Sequence, residues 1–201
     1  MLIILEILVI ITTIASWLYM LRKGNGSILS RQGVESLKFY TVLSNIFAGL
    51  TAVLTTGFML FSGGAGTLPY WVGVLKYSSA VSVGLTFLVV MVFLGPRMSY
   101  PPLFKGPLLC LHAVGPLLTI LSFAVNPMIP RMGFSASFLA VIPTVFYGAG
   151  YILNILRNGL GEGENTNDWY GFAIGGIKGI PVAFAVILLV TWGIALLLRM
   201  V

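Results

Sequence analysis

The chain has 201 residues, 58% of them hydrophobic and 8% charged, with a mean hydropathy of +1.04. Soluble domains carry roughly 25% charged residues, so this composition excludes one and points to a membrane protein. A net charge of +6 and a pI near 9.7 do not signal nucleic-acid binding, because the basic residues flank apolar runs instead of forming a face that could follow a phosphate backbone.

Six apolar segments can be drawn, at 2–21, 37–61, 71–94, 107–126, 134–156 and 171–198. Each is close to the ~20 residues that a helix needs to cross ~30 Å of hydrocarbon. Lipid offers the backbone no hydrogen bonds, and the alternating ten-residue segments of a membrane barrel are absent, so all six read as helices. The expected fold is all-α: one polytopic domain with six transmembrane helices.

The first segment begins at Met1 without a preceding basic region and reads as a retained helix, not a cleaved signal. Glu6, one turn inside it, is expected to reach the interface. Gly and Pro punctuate the short links, as in Gly95-Pro96-Arg97 and Lys105-Gly106-Pro107. The longest polar link, Arg157 to Tyr170, holds three of the five acidic residues and is the loop most suited to a specific task.

Basic residues fall unevenly. Arg22, Lys23, Arg31, Lys38, Arg97, Lys105, Arg157 and Lys178 collect at one end of the helices, against Lys76, Arg131 and Arg199 at the other. The positive-inside rule makes the first end cytoplasmic and puts both termini outside a cell membrane.

Polar side chains gather toward the basic end. Thr41, Ser44 and Asn45 share one face of the second helix, continued by Ala48, Gly49 and Ala52. His112 lies one to two turns into the fourth helix, on a face continued by Gly115, Thr119, Ser122 and Asn126. At about 1.5 Å rise per residue, Thr41 and His112 are expected within ~5 Å of each other in depth. Asn154, Asp168, Trp169 and Lys178, the last two turns into the sixth segment, approach the same end. Such a cluster at the hydrocarbon boundary suits an amphiphilic ligand.

Each of these residues also has a structural reading. Hydroxyls and amides in membrane helices bond the preceding turn or join helices, and lysines snorkel to the interface. His112 is the sole histidine, with the one side chain ready for proton transfer near neutrality. A histidine within reach of Thr41 could activate its hydroxyl, with Asn45 supporting an oxyanion and Asp168 orienting the imidazole. The single cysteine, Cys110, reads as a small buried hydrophobe. One His and one Cys exclude a zinc finger, an iron–sulfur site and bis-His haem within the chain. No metal or organic cofactor is implied.

The motifs Lys38-Phe39-Tyr40-Thr41 and Leu43-Ser44-Asn45, with His112 and Pro116 one turn later, resemble those of the androgen-induced and androgen-dependent membrane hydrolases of animals. Asn167-Asp168-Trp169-Tyr170-Gly171-Phe172 is similar to a stretch in their bacterial and fungal relatives. The resemblance implies a threonine hydrolase acting on membrane lipid esters, such as fatty acid esters of hydroxy fatty acids, with Thr41 as nucleophile and His112 as base. The resemblance gives no equally clear role to Asn45, Asp168 or Lys178; with Ser44, Asn154 and Trp169 they are pocket candidates by their place at the polar end. The chain departs from the animal pattern at Ser44-Asn45 and in the four-residue step from His112 to Pro116. The alternative from another class is a non-enzymatic membrane protein, either a small transporter or a lipid-binding scaffold. Transport favours broken helices and polar groups at the midplane.

Overall fold

The computed structural model describes residues 2–22, 34–161, 166–174 and 176–201. It is helical, with no strand among the described residues, and contains six helices long and apolar enough to cross a membrane. These are α1 (Leu2–Arg22), α2 (Tyr40–Phe61), α3 (Tyr70–Met98), α4 (Pro107–Ala124), α5 (Phe134–Asn158) and α6 (Gly179–Leu198). Lys23 and Arg31, assigned to the basic end, lie outside the described residues, as do Glu162 and Glu164 of the long link.

α3 is the most enclosed span. Tyr77, Ala80, Val81 and Val83 are inaccessible to solvent, with α2 and α4 against it on one side and α6 on another. α1 packs on α2 and α4. Paired polar groups stitch this core together: Ser44 with Thr86 at 2.9 Å, Thr51 with Ser79 at 2.9 Å, and the Thr13 hydroxyl donating to the Asn45 carbonyl at 3.3 Å. Lipid offers helices no hydrophobic drive to associate, so such bonds and close packing hold them. The inward faces expected on α2 and α4 are buried from Ser44 to Ala52 and from Gly115 to Asn126.

Two features depart from expectation. Glu6 does not reach the interface; it is 1% exposed and accepts a hydrogen bond from Lys76 Nζ at 2.6 Å. A carboxylate one turn inside a membrane helix is stabilised by a cation at the same depth on α3, which sequence separation conceals. The sixth helix begins at Gly179, not near 171, because Gly171 (φ 69°) and Gly176 (φ 98°) turn the chain where other residues are strained. Lys178 is therefore an exposed residue at the helix entrance, not two turns inside it.

α3 and α4 each contain a wide π-turn, at Val90–Leu94 and Cys110–Val114, followed by Gly-Pro. In a π-turn each N–H bonds the carbonyl five residues back, as Gly95 does to Val90 and Gly115 to Cys110. The next residue is proline, which has no N–H, so the carbonyls of Met91 and Leu111 lose their partners in the helix. Side chains from elsewhere replace them. The Tyr100 hydroxyl donates to Met91 at 2.9 Å, and the Asn45 amide donates to Leu111 at 2.9 Å. A Cβ at Gly95 would collide with the Tyr100 ring, and one at Gly115 would lie 2.6 Å from Asn45 Oδ1, so both capping side chains need the glycine beside them.

Candidate functional site: a chamber at the basic end

A chamber of about 400 Å³ lies between α2, α3, α5 and α6, within the size range of small-ligand sites. Its walls are almost wholly apolar, formed by Leu85 to Leu94 of α3 and Ala183 to Val190 of α6. Its most exposed lining residues are Ile174 of the loop before α6 (73% exposed), Val92 of α3 (68%) and Val186 of α6 (55%). Its polar end carries six hydroxyls, on Tyr40, Thr41, Thr86, Thr144, Tyr147 and Tyr170.

Five of those hydroxyls are already engaged. Tyr40 and Thr144 bond each other at 2.8 Å, and Thr86 bonds Ser44. Tyr147 donates to the Lys38 carbonyl at 2.7 Å and accepts from Trp169 Nε1 at 3.1 Å. The Tyr170 oxygen accepts from the backbone N–H of Tyr40 at 2.9 Å, capping the start of α2 where a helix leaves its first N–H groups unpaired. Burial pushes the Tyr170 phenol well above its usual range, so it is neutral there. Thr41 is the exception: its hydroxyl makes no hydrogen bond among the described residues.

The loop before α6 closes this end. Asp168 organises it, with Oδ1 accepting from the Tyr151 hydroxyl and from the Phe172 N–H (2.8 Å), and Oδ2 from the Ala173 N–H (2.8 Å). Partial burial pushes its carboxyl up, but the Tyr151 hydroxyl and the N–H groups of Ala173, Phe172 and Gly171 outweigh that and hold it below the usual carboxylate range. Tyr170, Phe172 and Ile174 of the loop line the chamber. Tyr151, Trp169, Tyr170, Phe172 and Phe184 form a continuous aromatic cluster behind them. Lys38 Nζ stands 5.6 Å from the Trp169 ring and 5.4 Å from that of Phe39.

Thr41 and the turn of His112 come together at one depth. One Asn45 amide group donates both to the Thr41 carbonyl (2.8 Å) and to the Leu111 carbonyl (2.9 Å). The His112 ring is buried. Its Nδ1 lies 2.7 Å from the Leu103 carbonyl, which can only accept, so Nδ1 carries a proton, and in the neutral ring the lone pair is on Nε2. Phe104 meets the imidazole edge to face at 6.5 Å. No hydrogen bond joins Thr41 to His112, and His112 is not among the residues lining the chamber.

The other expected pocket residues lie outside the chamber lining. Ser44 and Asn45 belong to the seams between helices. Asn154 bonds Asn167 Oδ1 at 3.2 Å and, like Trp169, secures the loop. Asp168 bonds that loop's backbone and does not contact His112, so it does not orient the imidazole. Cys110 is a half-buried free thiol. Tyr40, Thr86, Thr144, Tyr147 and Tyr170 were not legible as chamber residues. Tyr40 beside Thr41 was the available signal, but four helices had to be assembled to show it. Comparison of the chain with protein-family models, with curated proteins and with solved structures finds no match.

Proposed function

We propose that this multi-pass membrane protein is a hydrolase of lipid esters that draws one acyl chain from the bilayer into the chamber, with Thr41 as nucleophile and His112 as general base. The observation that carries the reading is the Thr41 hydroxyl, the one hydroxyl of the chamber's polar end without a hydrogen-bond partner among the described residues. Among the described residues the Thr41 hydroxyl bonds neither the preceding turn nor a neighbouring helix; the same holds for the buried hydroxyls of Thr55 and Thr56 on α2, but of the three only Thr41 borders the chamber. Exposed apolar lining residues on both α3 and α6, Val92 and Val186, suit entry of a chain from the surrounding lipid.

In the reaction, Thr41 Oγ1 attacks the ester carbonyl and its proton passes to His112 Nε2, directly or through one water. The alcohol departs with that proton. Water then hydrolyses the acyl-threonine, returning the hydroxyl. Catalytic hydrogen bonds are often long in empty sites and tighten around substrate, so the reading requires the imidazole to approach Thr41 when the chamber is filled. The basic end, with Arg22, Lys38, Arg97, Lys105, Arg157 and Lys178, would face the cytoplasm.

A second reading, a lipid-binding scaffold without catalysis, draws on the absence of a Thr41–His112 bond and on the engagement of His112 with Leu103. Labelling of the purified protein in lipid with a fluorophosphonate, alongside assay of a panel of fatty-acyl esters, separates the two. Labelling and cleavage lost in Thr41→Ala and His112→Ala support the hydrolase. A folded protein that binds acyl chains yet neither labels nor cleaves is the scaffold.

A further inference from the structure

We infer that Asn45 is a positioning residue, setting the His112 turn of α4 against the Thr41 turn of α2. The inference rests on the proposed hydrolase reading and assigns Asn45 a place outside the chamber, not a contact with substrate. Three observations meet at this side chain. One Asn45 N–H bonds the Thr41 carbonyl at 2.8 Å, which fixes the amide against the nucleophile's own turn. The other reaches the Leu111 carbonyl at 2.9 Å, on the residue immediately before His112. Oδ1 lies 2.6 Å from where a Cβ on residue 115 would be, too close for any other residue, so Gly115 lets the two helices close to this distance.

The Leu111 carbonyl is available for a definite reason. The π-turn at Cys110–Val114 assigns it to the N–H of residue 116, and residue 116 is proline. The combination of π-turn, glycine and proline thus creates one vacant acceptor beside the histidine, and a donor from α2, Asn45, fills it. The same arrangement recurs on α3, where Pro96 vacates the Met91 carbonyl and Tyr100 fills it from its own side of the molecule. There the donor lies nine residues on in the same chain; at Leu111 it comes from another span, four residues after Thr41. Satisfying a carbonyl does not require a second span. Taking the donor from the nucleophile's helix ties two reacting groups together.

The test separates positioning from mere satisfaction of the carbonyl. Asn45→Ala leaves Leu111 without a partner, and adding Pro116→Ala returns the N–H that the π-turn lacks. The two single variants, the double variant and the wild type are compared in lipid for thermal unfolding, rate of Thr41 labelling by a fluorophosphonate, and kcat and KM on a cleaved fatty-acyl ester. The expected result is that the double variant regains wild-type unfolding and KM while labelling and kcat stay about 100-fold down, the scale of a misplacement near 1 Å. Pro116→Ala alone keeps near-wild-type rates. A double variant with wild-type labelling and kcat overturns the inference and leaves the hydrolase standing. A wild-type protein that neither labels nor cleaves overturns both. If that double variant does not fold, Asn45→Leu combined with Pro116→Ala, which keeps the approximate side-chain size and carries no donor, gives the same reading: wild-type kcat overturns the inference, and kcat loss at unchanged KM supports it.

Discussion

Lys76 and Glu6 form a 2.6 Å ion pair that leaves both side chains essentially inaccessible, one to two turns into their respective membrane spans. It ties α1 to α3. Removing one member would strand the other charge in a low-dielectric interior, which costs about 3–5 kcal/mol, whereas replacing both with apolar residues of similar volume is close to neutral. Glu6→Leu and Lys76→Met are each expected to lower stability by that amount, and the double variant to recover most of it. Thermal unfolding in lipid or detergent provides the check.

Asp168 gives the loop before α6 a defined pH dependence. Its carboxyl is held below the unfolded value of about 3.9, so its contribution is fully present above that value and is lost as pH falls through the lower folded one. Hydrogen exchange at the Phe172 and Ala173 amides should accelerate across that acidic window in the wild type. In Asp168→Asn the amides should exchange faster already at neutral pH, with no acid transition assigned to this residue. Protection equal to the wild type at both pH values would contradict the role of Asp168 in holding the loop.

The chamber can be filled from within. Ala183 lines it on α6, and Ala183→Trp places a large ring in the space between α6 and α3. Binding of a fluorescent fatty-acyl ester should fall at least tenfold, with unfolding little changed because the ring occupies open volume (small-to-large changes are costly where packing is already dense). Equal binding by the variant would place the acyl chain elsewhere.

Tyr100 offers an independent test of the vacant-carbonyl account. Tyr100→Phe removes the donor to Met91 and is expected to cost about 1 kcal/mol. The same change in a Pro96→Ala background should cost less, because the restored N–H can serve the carbonyl. A double-mutant cycle on thermal stability measures the difference.

The number of spans, their approximate limits and the inward faces of α2 and α4 were legible from the chain alone. Segment length, apolar content and helical spacing are local properties, and lipid permits one secondary structure for such runs. The common depth of Thr41 and His112 followed from that topology, and Asn45 records it as a bond to each turn. Pro116 and Pro96 were visible as breaks. That each leaves a particular carbonyl to a particular side chain was not, since the identity of the donor depends on which helix stands opposite.

Tertiary structure decided the remainder. Glu6 and Lys76 are 70 positions apart, and neither has a local pattern to announce the other. Thr41 and Ser44 lie on the same helical face and read alike as hydroxyls. The neighbour opposite Ser44 is Thr86, which takes its bond, while Thr41 borders a chamber and keeps its hydroxyl unpaired among the described residues. Spacing along a helix determines which side chains share a face. Whether that face meets another helix or an open volume is fixed by packing across the bundle, and that difference separates Thr41 from its neighbours.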